Sequence, residues 1–119
     1  MAELRVEGDE LRLVLNAAEK VEGLHGNLCV PLATVRGVEV LADAHRAAGI
    51  RAGIKVGTRL PGVIEVCRVY GARSKRFVAV HHDTARGVRV SFSSGEFDEW
   101  IVGCADPEAV ASGIPATRR

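Results

Sequence analysis

Aromatic side chains are scarce in this chain: Phe77, Phe92, Phe97, Tyr70 and Trp100 are the whole set. Proteins that hold single-stranded nucleic acid stack bases on aromatic rings, so the shortage argues against nucleic acid as a partner. An excess of either charge is also missing. Sixteen Lys and Arg against fifteen Asp and Glu leave +1, which gives no overall field to draw the protein onto a polyanion or a membrane surface. No apolar run approaches the roughly 20 residues of a spanning helix, and the opening Met1-Ala2-Glu3-Leu4-Arg5 reaches charge too early for a signal peptide. The three cysteines, Cys29, Cys67 and Cys104, are odd in number, far apart and set in apolar surroundings. That is the pattern of buried free thiols in a reducing compartment, and the expected location is the cytoplasm.

Motifs that carry chemistry are missing as well. The sequence has no C-x-x-C pair, no G-x-G-x-x-G, no phosphate loop, and no strand-to-helix elbow around Ser91, Ser93 or Ser94. His81-His82-Asp83 is the one cluster of ligand-type side chains, but neighbouring strand residues point to opposite faces, so the two imidazoles do not converge on one ion. The expectation is a protein with no catalytic residues, no metal and no cofactor.

What is present is a chain of 119 residues with 47% apolar content, enough for one domain, residues 1–119, around one core. Leu4–Val6 and Leu11, Leu13, Leu15 flank Gly8-Asp9, which reads as a hairpin turn. Asn16 and Glu19 have the spacing of a capping box for a short first helix ending at Gly23. Leu28–Val30 with Pro31 suits an edge strand, and the run from Thr34 to Leu41 suits another, with a bulge at Gly37. Residues 63–70, 76–82 and 87–92 read as an antiparallel meander, in which Phe77-Val78-Ala79-Val80, apolar on both faces, takes a central place. A further short strand covers Glu99 to Val102. Asp106, Pro107 and Glu108 then form a strong helix start, and Gly113 with Pro115 a stop after about two turns.

This element order resembles the pleckstrin-homology-like (PH-like) barrel, and the chain is similar to small stand-alone bacterial PH-like proteins. The resemblance rests on Val30-Pro31-Leu32 with Val35–Val40, on Gly57-Thr58-Arg59-Leu60-Pro61-Gly62, on Phe77-Val78-Ala79-Val80, and on Asp106-Pro107-Glu108. It implies a mainly β fold: a partly open barrel of two near-orthogonal antiparallel sheets, about seven strands, with one short C-terminal helix. It implies a binding or assembly role. Lipid-binding members carry basic residues in the first hairpin, whereas Glu7-Gly8-Asp9-Glu10 is acidic here.

Residues 42–62 read as one long loop, glycine-rich and without an acid after Asp43. Arg46, Arg51, Lys55 and Arg59 within it are the candidate ligand-binding residues, an anion patch that Arg36 would extend. The same side chains would also serve simply to solvate the loop, as would a second basic cluster at Arg73, Lys75 and Arg76. The leading expectation is therefore a non-catalytic interaction module for protein partners that self-associates into a homo-oligomer through an exposed sheet edge or beside the short helix. The alternative is binding of an anionic ligand or membrane surface through residues 46–59.

Overall fold

A computed structural model describes residues 3–15, 28–44, 54–60, 64–70, 75–81 and 86–114, with backbone alone for 54–60, 64–68 and 81. The chain is mainly β. The described strands are β1 (Glu3–Glu7), β2 (Glu10–Val14), β3 (Leu28–Pro31), β4 (Val35–Leu41), β5 (Ile54–Leu60), β6 (Ile64–Tyr70), β7 (Lys75–His81), β8 (Gly87–Phe92) and β9 (Glu99–Gly103). A C-terminal helix follows at Pro107–Ser112. The strands form a three-stranded sheet, β1-β2-β3, and a six-stranded sheet, β4-β8-β9-β7-β6-β5, and the two do not close into a barrel.

Alternation along the strands builds the core. Leu11 and Leu13 of the small sheet, with Leu15 just beyond β2, meet Phe77, Ala79, Val88, Val90, Phe92, Trp100 and Val102 of the large one. Burying each large side chain is worth about 1.5–3 kcal/mol, and edge-to-face ring pairs fix the geometry: Phe92 on Trp100 at 4.7 Å and Phe77 on Phe97 at 5.7 Å. The helix lies on the same side, with Val110, Ala111 and Ile114 against this core. The Asp106 carboxylate accepts from the Ala109 N–H at 3.2 Å, which satisfies one donor of the first turn. The opposite face of the large sheet holds a smaller apolar cluster of Leu41, Ala44, Val69, Val78, Val80 and Ile101.

The Gly8-Asp9 hairpin, the irregularity between Val35 and Gly37, the interior place of β7 and the capped helix all match the sequence reading. Four features differ from it. The strands outnumber the expected seven. The meander is broken, because β8 pairs with β4 and β9 while β9 inserts beside β7 in parallel, Phe77 opposite Trp100. Residues 54–60, expected within a loop, pair along their whole length with β6.

Arg76 is the fourth. Instead of standing in a solvated cluster, its side chain is 2% exposed and lies 3.7 Å from the Glu99 carboxylate. Glu99 also meets Arg89 at 3.4 Å, and Arg89 meets Glu39 at 2.9 Å, so opposite charges alternate across β7, β9, β8 and β4. The expected first helix, Asn16 to Gly23, lies outside the described residues.

Candidate functional site

Of the four anion-patch residues the structure describes two, by backbone alone. Lys55 and Arg59 belong to β5, opposite Val69 and Glu65 of β6, while Arg46 and Arg51 lie outside the described residues. Arg36 is exposed on β4. His81 ends β7, with His82 and Asp83 outside the description, and no metal-type cluster occurs among the described residues. Arg73 likewise falls outside.

A different place has the character of a binding site. Between β3 and the connection from β8 to β9 opens a cleft of about 220 Å³, lined by Leu28, Val30, Trp100 and Phe97 with Ser94, Gly95 and Glu96 at its rim. Its walls follow from local sequence. Leu28 and Val30 alternate toward the core side of β3. Ser93 donates its N–H to the Thr34 carbonyl at 2.8 Å, tying the loop to the 3-10 turn Leu32–Thr34. Asp98 fastens the far end of the loop, accepting from the Lys75 N–H at 2.7 Å and donating its own N–H to the Lys75 carbonyl at 2.7 Å. Gly95 has φ 118°, a conformation open to glycine and strained for any other residue.

The cleft runs beside an edge strand. β3 pairs with β2 on one side, and among the described residues nothing pairs with it on the other. Antiparallel pairs alternate between hydrogen-bonded and non-hydrogen-bonded. Leu32 donates to the Asp9 carbonyl at 2.8 Å, so the next pair inward, Glu10 with Pro31, is of the non-bonded kind, as a proline lacking an N–H requires. Leu11 with Val30 is then bonded and Arg12 with Cys29 is not. The N–H and C=O of Cys29 therefore turn outward along the cleft. The Pro31 carbonyl, which also turns outward, accepts from the Thr34 hydroxyl at 2.7 Å.

The cysteine expectation fails at this point in an informative way. Cys29 is exposed rather than buried, because Leu28 and Val30 occupy the core parity of β3 and leave Cys29 on the polar face beside Glu10 and Arg12. Desolvation, then a hydrogen bond and charge from Glu10, push its thiol pKa up. Cys104 is half-buried, with its thiol raised chiefly by burial. Cys67 stands in β6 opposite Gly57 and Val78.

Glu96 is the one acid at the rim of the cleft. On the other face of the small sheet Glu10 and Glu7 act electrostatically on the Cys29 thiol, and Arg12 pairs with both, each at 3.2 Å. Sequence reasoning passed over the site because its parts are spread over residues 28–34 and 94–100 and none is a motif. The signal that was available is the Val30-Pro31 edge. Among the described residues no helix is long and apolar enough to cross a membrane. Set beside known protein families, curated proteins and solved structures, the chain finds no match in any of the three.

Proposed function

We propose that this chain is a non-catalytic, PH-like protein-interaction module of the cytoplasm, and that its partner adds an extended segment to the outer edge of β3. The observation that carries the reading is the junction of an outward-facing backbone donor and acceptor at Cys29 with an apolar cleft floored by Trp100. Strand addition uses these two parts: main-chain hydrogen bonds supply affinity, and alternate side chains entering a cleft supply selectivity. Size points the same way. Sites for small molecules and cofactors usually enclose about 300–1,000 Å³, whereas about 220 Å³ suits one or two side chains of a peptide.

Two sheets that stay open, with a short helix against one of them, support the PH-like resemblance; the parallel pairing of β7 with β9 is a departure from the all-antiparallel form it implies. An exposed thiol at Cys29, with no described disulfide partner, suits a reducing cytoplasm.

The test is selection of binders from a library of random extended peptides, followed by amide and indole chemical-shift mapping. Shifts centred on Cys29, Gly95 and the Trp100 indole are expected. Cys29→Pro, which deletes an N–H that takes no part in the β2 ladder, should abolish binding while leaving the fold intact. Binding that survives Cys29→Pro, or that maps elsewhere, would overturn the reading.

A further inference from the structure

We infer that the segment added to β3 is β5 of a second copy of this chain, so that the protein assembles head to tail. The inference rests on the β3 reading above and names its partner. β5 is the terminal strand of the six-stranded sheet and pairs only with β6 among the described residues. Its sequence, Ile54-Lys55-Val56-Gly57-Thr58-Arg59-Leu60, intersperses apolar residues with two cations and has no acid. The receiving edge is its complement in both respects. It offers an apolar cleft with Glu96 at its rim, and Glu10 and Glu7 lie in electrostatic reach of Cys29.

Edge strands with free donors and acceptors are templates for pairing between chains, and proteins that avoid this place charge of one sign on both edges or cover them. Here β5 itself carries cations while acids stand beside the uncharged β3, which favours an unlike contact and opposes the pairing of β5 with β5. A contact between two different patches leaves one of each free at the ends, so the assembly closes into a ring where its rotation permits and otherwise extends. β3 has only four residues, and one residue, Cys29, turns both backbone groups outward. The contact is therefore short, and the association is weak and concentration-dependent.

Light scattering of the full-length protein over a concentration series tests this. The wild type should gain mass with concentration at low salt and lose it at high salt. Lys55→Glu/Arg59→Glu should weaken association by about tenfold, since two attractions become repulsions, and Glu10→Lys/Glu96→Lys should do the same. Mixing the two variants leaves both junction types between them, one restored as wild type and one reversed on both sides, and should recover association that neither shows alone. As a check independent of whether the variants fold, a synthetic peptide of residues 54–60 should shift the Cys29 amide and dissociate the wild type, and a scrambled peptide should do neither. A wild type that stays monomeric throughout, or association indifferent to both sets of reversals, would refute the pairing with β5. If library peptides still bind at Cys29 in that event, the β3 reading stands and only the identity of its partner falls.

Discussion

Replacing Glu99 by Gln removes one negative charge and almost no volume, and so isolates what that charge does between two guanidiniums. The carboxylate lies 3.7 Å from Arg76, whose side chain is 2% exposed, and 3.4 Å from Arg89, which is 28% exposed. Arg89 keeps Glu39 at 2.9 Å after the change, so the loss falls on Arg76. Removing one member of a buried ion pair costs about 3–5 kcal/mol. Glu99 is itself 22% exposed, and water reaching it brings the expected loss down to about 2–3 kcal/mol. At this chain length that corresponds to a fall in Tm of about 8–12 °C and, with an m-value of about 2 kcal/mol/M, to a urea midpoint lower by about 1–1.5 M. Arg76→Met combined with Glu99→Gln should cost less than the two single changes added, by at least about 1 kcal/mol, because both single changes lose the same ion pair. Equilibrium urea unfolding followed by Trp100 fluorescence measures all three. A Glu99→Gln variant within about 0.5 kcal/mol of wild type, or strict additivity in the cycle, would refute a stabilising role for the carboxylate beside Arg76.

Other perturbations follow from single contacts. A Cβ placed on Gly87 would stand 2.2 Å from the Val102 carbonyl oxygen across β8 and β9, so Gly87→Ala should destabilise by about 2–4 kcal/mol, read as a lower Tm; an unchanged Tm would mean that the strands are not so close. Asp106→Ala removes the helix cap and should cost about 1 kcal/mol, with Asp106→Asn close to wild type in the same melt. Because Glu10 raises the Cys29 thiol pKa, Glu10→Gln should increase the thiolate fraction and speed alkylation of Cys29 at pH 8, with the rate measured by mass spectrometry; a slower reaction would contradict the sign.

Where structure is decided by neighbours in sequence, the sequence was a good guide. The β1–β2 turn, the bulge beside Gly37, the burial of Phe77–Val80 and the Asp106 cap each depend on a few adjacent residues. β5 escaped notice because Gly57, Lys55 and Arg59 interrupt its apolar positions and make a sheet edge look like a soluble loop. The burial of Arg76 was not visible either, since the acid that compensates it is 23 residues further on and comes alongside only through parallel pairing. The candidate cleft is harder still to foresee. It exists where two separated segments meet, and Cys29 faces outward there through strand parity rather than through any property of cysteine.

The position of β9 also governs how the protein must be made. It is synthesised after every other described strand, yet it fills the gap between β7 and β8 and carries Trp100, Ile101 and Val102 into both apolar clusters. Without β9 the large sheet has nothing to join β5-β6-β7 to β4-β8. Completion late in translation, through contacts distant in sequence, makes for slow folding and a long interval in which the unjoined strands can pair with the wrong chain. A nascent chain stalled shortly before Glu99 is accordingly the species most in need of a chaperone.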